Sequence, residues 1–219
     1  MRPILSRTEI IFLLVSVFLT GCAGEQRYAE FIEQTVEGLE RVENPSVDIA
    51  YVRPGIRFND YNKVMIKSVE VQFRKDWARD HPRVSPQDQE RIKDGLNEIF
   101  FDILKTELEE KGDIPIVDTP GPDVLSVSVR LIDLYISELD DQRTFNTTVY
   151  VATAGSVTLI GELYDSLTDE ILARVADHRI ARSTGQFEIS NRVTNTAEAR
   201  QAFRYWAGLL RESLNAVNE

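Results

Sequence analysis

Residues 155–179, with the sequence GSVTLIGELYDSLTDEILARVADHR, decide the fold of this chain. Two runs rich in aliphatic residues, 155–165 and 171–179, are separated by a short polar stretch. A polar stretch between two strand-forming runs is typical of a β-hairpin turn. The sequence therefore predicts two antiparallel strands joined by residues 166–170.

The register of this hairpin follows from its turn. If Asp169 takes the left-handed position of a bulged turn, Asp165 faces Ile171 across the ladder. The same register places Glu162 opposite Arg174, which predicts a charge pair on the outer face.

Strand patterns also precede the hairpin. Apolar residues recur at 63–73, with a shift near Lys67 that indicates a bulge. A short strand is predicted at 114–117. At 125–131 apolar and polar residues alternate, as in a strand with one covered face, and the apolar phase changes near Ile132.

Two helices are predicted. Ser85 and Pro86 form a good helix start, because the serine hydroxyl accepts from free backbone amides and proline suits the first helical position. Apolar residues then recur at intervals of three and four until Lys111, and Gly112 ends the helix. A second helix with one apolar stripe is expected at 196–215.

The order of these elements predicts an α+β domain. We expect a mostly antiparallel sheet, with the long helix and the C-terminal helix packed on one of its faces. A single domain is expected at 51–219. The preceding residues, 22–50, are predicted to form the lipidated N-terminus and a tether.

The N-terminus has the layout of a secretory signal peptide. Two arginines precede an apolar stretch at 10–19, which is shorter than the about 20 residues that a membrane-spanning helix needs. The stretch ends in Leu19-Thr20-Gly21-Cys22, which resembles the lipobox of bacterial lipoproteins. The resemblance implies that residues 1–21 are cleaved and that Cys22 is lipidated. Its amino group is usually acylated too, and two or more chains hold a protein stably in a membrane.

Cys22 is the only cysteine of the chain, so we expect no disulfide, thiol nucleophile or cysteine metal ligand in the mature domain. The next residue is Ala23. An aspartate there resembles an inner-membrane retention signal of Gram-negative bacteria. Ala23 therefore indicates the outer membrane, with the domain facing the periplasm.

The composition limits the partners. The chain has 25 basic and 36 acidic residues, which gives a formal net charge of −11. So acidic a surface repels phosphate backbones, and we expect no nucleic-acid partner.

The sequence offers few residues for chemistry. His81 and His178 are the only histidines, and neither belongs to a metal-ligand cluster. No two glycines stand two apart, and no Gly-Xaa-Ser-Xaa-Gly sequence is present. We therefore expect no catalytic, cofactor-binding or metal-binding residues.

Two groups of charged residues nevertheless leave alternatives open. Asp165, Asp169 and Glu170 suggest acid–base chemistry or calcium binding, although the turn that they build explains their spacing better. A second group on a predicted sheet face is either a binding surface or a solvated face with cross-strand ion pairs. Its members are Arg130, Glu162, Arg174 and His178.

Two further features lie in predicted loops. Trp77, among charged residues, either reaches a partner or packs under its own domain. Asn146-Thr147-Thr148 matches a glycosylation acceptor, which we attribute to chance in a bacterial lipoprotein.

Several stretches together resemble a family of bacterial lipoproteins, Domain of Unknown Function 3313. They are Tyr51-Val52-Arg53-Pro54-Gly55 with Phe58 and Tyr61, Pro120-Gly121-Pro122-Asp123-Val124-Leu125, Tyr164-Asp165-Ser166, Leu172-Ala173, and Phe203 with Trp206. Thr168-Asp169-Glu170 stands where a Thr-Gly-Glu turn is expected. The resemblance implies a lipoprotein of the cell envelope and brings no established activity.

The functional expectation is a non-catalytic envelope lipoprotein that binds another envelope protein or supports an assembly. One alternative is an envelope enzyme with a carboxylate or serine site assembled from distant residues. Another is a carrier of an apolar ligand, which requires a cavity between helices and sheet.

Overall fold

The computed structural model describes residues 38–136, 155–180 and 192–215, with the side chains of the last range described from residue 199. The predicted leader, Cys22 and the possible glycosylation site at 146–148 lie outside these ranges.

Six strands in the described ranges form one sheet. They are β1 (Glu40–Val42), β2 (Ile49–Val52), β3 (Lys63–Phe73), β4 (Val124–Ile136), β5 (Gly155–Asp165) and β6 (Ile171–Ile180). Their order across the sheet is β1-β2-β6-β5-β4-β3. The predicted strand at 114–117 contributes a single bridge, between Val64 and Ile116.

The sheet is mixed, which corrects the prediction of a mostly antiparallel sheet. β3 runs parallel to β4, whereas the other neighbouring pairs are antiparallel. Parallel neighbours need a crossover connection, and the long helix between β3 and β4 supplies it. The α+β class itself is confirmed.

The described helices are α1 (Trp77–Asp80), α2 (Pro86–Lys105) and α3 (Arg192–Asn215), with a 3-10 turn at Phe58–Asp60 and a π-helical turn at Thr106–Glu110. The predicted N-cap is confirmed, since the Asp88 backbone N–H donates to Ser85 Oγ at 3.1 Å. Beyond the π-helical turn, Asp113 and not Gly112 has the left-handed backbone, with φ 53°. None of the described helices is long and apolar enough to span a membrane.

Both long helices pack on one face of the sheet, which we call the helix face. Its central residues on β4 are at most 4% exposed: Leu125, Val127, Val129 and Leu131. They share one hydrophobic cluster with Phe100 and Leu104 of α2 and with Phe203 and Trp206 of α3. The rings of Phe100 and Phe203 meet edge to face, with 5.1 Å between their centroids.

The sheet begins before residue 51, the predicted start of the domain. β1 and the first half of β2 lie within the range expected to be a tether. Ile49 and Ala50 are only 5% and 2% exposed, because β2 pairs with β6 in the sheet. Strands this short carry too little periodicity to be recognised in a sequence.

The β5–β6 hairpin has the predicted turn conformation. Asp169 has a left-handed backbone, with φ 58°, and Glu162 pairs with Arg174. The predicted pairing of Asp165 with Ile171 is wrong. A register shift after Leu163 pairs Ile171 with Tyr164, and the freed Asp165 closes the turn.

Candidate functional site

The sheet face opposite the helices, which we call the polar face, carries a cluster of charged side chains. Alternation along the paired strands places the following residues on it: Met65, Ser68, Glu70, Ser126, Ser128, Arg130, Ile132, Thr158, Ile160, Glu162, Tyr164, Arg174, Ala176 and His178. The four residues predicted to share one face are all among them.

Glu162 lies at the centre of the polar face and contacts two arginines. Arg174 Nε donates to Glu162 Oε1 at 2.7 Å, and Arg130 Nη2 lies 3.6 Å from the same oxygen. The Tyr164 hydroxyl donates to Glu162 Oε2 at 2.9 Å. The side chains of Glu162 and Arg174 are only 10% and 12% exposed, so this ion pair is largely removed from solvent.

These contacts fix the charge of the cluster. Burial raises the pKa of the Glu162 carboxyl group, but hydrogen bonds from Arg174 and Tyr164 and the charges of both arginines outweigh it, so the pKa is lowered. Burial and the hydrogen bond to Glu162 raise the pKa of Tyr164 to about 12. Near neutral pH the carboxylate is therefore ionised and the phenol neutral.

His178 is engaged with the sheet. Its ring Nδ1 lies 2.9 Å from Thr158 Oγ1, and its backbone N–H donates to Asp48 Oδ2 at 2.9 Å. Thr158 is completely buried. The half-buried histidine is thus held on the polar face by contacts with β5 and with the residue before β2.

Exposure is uneven across the polar face. Ile132 and Ile160 are 5% and 1% exposed, although neither belongs to the hydrophobic cluster under the helices. Towards β3 the face is more open, since Met65 is half-buried and both Glu70 and Gln72 are exposed. Solvent therefore reaches the charged cluster mainly from the β3 side.

A second cluster surrounds the β5–β6 turn. Asp165 Oδ1 accepts from the backbone N–H groups of Leu167 and Thr168, at 3.0 and 2.8 Å. Its other oxygen accepts from the Tyr61 hydroxyl at 3.0 Å. The Ser166 hydroxyl donates to Gly121 O at 2.9 Å, and its oxygen accepts from Gly121 N–H at 3.0 Å.

Arg53 ties another part of the chain to the same turn. Its backbone N–H donates to Leu172 O at 2.8 Å, and its Nε donates to Ile171 O at 2.9 Å. Its Nη1 lies 3.1 Å from Glu170 Oε1. Most stretches that carry the family resemblance therefore meet at this end of the sheet and hold the turn in place.

The three turn carboxylates point to different partners. Asp165 binds Tyr61 and the turn amides, Asp169 pairs with Lys67 at 2.6 Å, and Glu170 pairs with Arg53. In the described part of the chain, no group of three or more His, Cys, Asp or Glu residues is placed to hold a metal ion. Their arrangement supports the structural interpretation of these residues.

Hydrogen bonding also shifts the pKa values at the turn. Burial raises the pKa of Asp165, but hydrogen bonds from Thr168, Tyr61 and Leu167 outweigh it and lower the pKa. Burial, followed by the hydrogen bond to Asp165, raises the pKa of Tyr61 to about 12. The bond between them is therefore most stable with an ionised carboxylate and a neutral phenol.

Trp77 packs under its own domain. It is fully buried, and its ring Nε1 donates to Ile136 O at 2.9 Å. The ring stacks between Phe73 and His81, with centroid distances of 4.1 and 4.4 Å. The structure therefore decides between the two interpretations of this residue, and it also gives His81 a packing role.

Asp177 is a buried carboxylate that was not predicted from the sequence. It is 2% exposed and lies on the helix face of β6, where its Oδ2 accepts from Trp206 Nε1 at 2.7 Å and from Arg179 Nε at 2.5 Å. Its alternation with Val175 was the available signal. This alternation places the acid on the buried face of the strand, where a carboxylate needs a nearby hydrogen-bond donor.

These features define the class of this protein: an α+β domain whose mixed sheet has one face under two helices and a charged cluster on the other. The chain belongs to the family described as a protein of unknown function, DUF3313, whose family model matches residues 27–210. This confirms the resemblance to Domain of Unknown Function 3313, and the lipoprotein part of the expectation stays a prediction. No curated protein matches the chain.

Two solved structures that are similar to this chain come from two different bacterial species. The PelC dodecamer from Paraburkholderia phytofirmans is 10% identical, with 79% of this chain and 96% of that chain covered and a TM-score of 0.37. Protein XCC0632 from Xanthomonas campestris, of the DUF330 family, is 8% identical, with 70% and 84% covered and a TM-score of 0.36. Similarity at this level transfers no function to the chain.

Proposed function

We propose that this protein is a lipid-anchored, non-catalytic binding or assembly module of the bacterial cell envelope. Its domain is held at the outer membrane through Cys22 and faces the periplasm. The observation that carries the proposal is the charged cluster on the polar face, in which Glu162 contacts Arg174 and Arg130 across three neighbouring strands.

A cluster of this kind is suited to recognition. Charges held in one orientation give an interface its register and reject partners of the wrong charge pattern. Arg130 is 25% exposed and lies towards the open β3 side, where Lys67 is 45% exposed. Glu70, beside Arg130 in the sheet, is exposed on the same side, so the surface carries charges of both signs. The expected partner is a protein with charged groups of both signs.

The charged state of the acids favours binding over catalysis. A general acid near neutral pH needs a carboxyl group with a raised pKa. Each described carboxyl group with a resolved shift has a lowered pKa: Asp76, Asp88, Asp123, Glu162 and Asp165. This direction supports groups that are ionised near neutral pH and held in ion pairs and hydrogen bonds.

Packing also argues against the carrier alternative. An apolar ligand between helices and sheet needs space there, but the rings of Phe203, Phe100 and Trp206 occupy this layer. The centroids of Phe203 and Trp206 are 6.2 Å apart. These rings belong to one hydrophobic cluster that joins both helices to the sheet, which supports a packed layer here.

The test is a mass-spectrometric survey of proteins cross-linked to the full chain in native membranes, with Cys22→Ala as the control. The proposal expects one specific envelope protein that is recovered with the parent chain and lost with the control, because the control lacks the lipid. Recovery of no specific protein from either chain would refute the proposal.

A further inference from the structure

The outward backbone groups of β3, an edge strand, carry a further inference. Successive residues of a strand direct their backbone groups to opposite sides. Val64 N–H donates to Pro115 O at 3.0 Å, and Val64 O accepts from Val117 N–H at 2.9 Å. The backbone groups of Val64 therefore point away from β4. Arg74 N–H donates to Leu134 O at 3.0 Å, so the backbone N–H of Arg74 points towards β4.

These two anchors define the edge between them. A register shift between Ile66 and Ser68 precedes this stretch, and a second lies between Val71 and Phe73. At the second shift β4 advances from Leu131 to Leu134 while β3 advances by two residues, so the extra residue belongs to β4. Counting back from Arg74, the outward residues of β3 are therefore Val69, Val71 and Phe73. Within the described structure, β4 is the neighbouring strand with which this stretch pairs, and its outward groups make no backbone hydrogen bond. Residues 69–73 therefore form a regular stretch of open sheet edge.

The side chains along this edge retain apolar exposure. Val69 and Phe73 lie on the helix face and are only partly buried. The β4 residues beside them, Val129 and Leu134, are 4% and 7% exposed. An additional strand beside β3 would cover this remaining apolar surface and satisfy the open backbone groups.

We propose that two copies of this chain pair antiparallel through β3, about a two-fold axis at Val71. Val71 then faces its own counterpart, and Val69 faces Phe73 of the second copy. Each facing pair exchanges two backbone hydrogen bonds. The pairing extends the sheet across the axis without using the bulge at Lys67.

Side chains on the polar face favour a second copy as the occupant. In this register Glu70 faces Gln72 of the second copy, and the two side chains can share a hydrogen bond across the strands. The diagonal neighbours of Glu70 are Arg74 and Glu70 of the second copy, so the facing hydrogen bond and not net charge favours this partner. The two-fold operation repeats this hydrogen bond, which gives a closed dimer. The opposite edge is formed by β1, which has 3 residues and offers a much shorter surface.

The test is disulfide formation in the full chain carrying Val71→Cys, in native membranes under mild oxidation. Facing residues of a hydrogen-bonded pair have Cα atoms about 5.5 Å apart, which a disulfide can bridge. A covalent dimer is therefore expected in most of the protein. The parent chain controls for bonds through Cys22, and circular dichroism verifies that each variant is folded.

Val69→Cys is the matched register control. Two copies of residue 69 would be offset by four residues, about 13 Å along the strands, and no disulfide is expected. In a second control, Val71→Cys is combined with Val69→Pro. The proline removes the outward backbone N–H of residue 69 and leaves the hydrogen bonds to β4 in place, so at least a tenfold loss of covalent dimer is expected. Equal dimer from both cysteine positions, a disulfide to another protein, or no dimer from folded Val71→Cys would overturn the proposal.

Discussion

Tyr61 donates a hydrogen bond to Asp165 at 3.0 Å and so joins two residues that are 104 positions apart in the chain. Tyr61 lies just before β3, and Asp165 ends β5. The bond closes the end of the sheet at which the stretches shared with the family meet. This end is therefore fixed by side-chain hydrogen bonds as well as by the strand ladder.

Removing the Tyr61 hydroxyl is expected to destabilise the domain. Tyr61→Phe should lower the free energy of unfolding by about 1 kcal/mol, because the ring stays and one hydrogen bond to a charged group is lost. Urea unfolding followed by circular dichroism measures the change. Tyr51→Phe is the control, since its hydroxyl has no hydrogen-bond partner among the described residues. An equal effect of both changes would contradict the role given to the Tyr61 bond.

Alkaline pH is expected to destabilise the protein through Tyr61 and Tyr164. Both pKa values are raised from 10.0 to about 12, so the fold favours the neutral phenols. Their contribution is fully present below pH 10 and is lost as the pH rises towards 12. The variant with Phe at both positions should lose less unfolding free energy between about pH 8 and 11 than the parent does. Parallel pH profiles would show that the tyrosines are not coupled to folding.

Acidification acts on Glu162 and Asp165 with the opposite sign. Their pKa values are lowered in the fold, so their contribution is present above the usual carboxyl range and is lost as the pH falls through it. For Glu162→Gln, the unfolding free energy should fall less than that of the parent when the pH drops from about 6 to 3. A steeper loss in the variant would be the contrary outcome.

Arg174 and Arg130 are expected to differ in their contributions. Arg174→Met should cost about 3 kcal/mol, because Glu162 is then left as a largely buried carboxylate without the arginine that donates to its Oε1. Arg130→Met should cost about 1 kcal/mol, since its Nη2 lies 3.6 Å from the carboxylate and its side chain is 25% exposed. Chemical denaturation of both variants measures the difference. A larger cost for Arg130 would contradict the assignment of the principal ion pair.

Asp169 provides a test of the turn conformation. Its φ of 58° is unfavourable for a residue with a Cβ atom and unrestricted for glycine. Asp169→Gly should therefore be about 1 kcal/mol more stable than Asp169→Ala. Both variants lose the exposed pair with Lys67, so their comparison isolates the backbone effect. Equal thermal stability of the two would argue against a left-handed residue at this position.

Local relations in the sequence predicted much of the fold. The Ser85 cap and the pairing of Glu162 with Arg174 depend on residues close in the chain, and both were predicted correctly. The parallel pairing of β3 with β4 was missed, because periodicity locates strands without showing where a crossover returns the chain. β2 was missed because four residues carry little pattern.

The candidate site, too, was predicted only in part. The alternation of polar residues predicted that Arg130, Glu162, Arg174 and His178 share one face. Their degree of burial was not predictable, since it depends on side chains brought together from several strands. The bond between Asp177 and Trp206 joins β6 to α3, and such a contact follows only from tertiary packing.

The central claim is that the polar face binds a protein partner, and site-specific photo-cross-linking in native membranes tests it most directly. A photoreactive amino acid replaces Met65, which is half-buried on the open side of the polar face, and Glu98, which is exposed on α2, serves as the control position. We expect one adduct with a different envelope protein from position 65 and none from position 98. Absence of an adduct from position 65, or the same adduct from both positions, would contradict the claim.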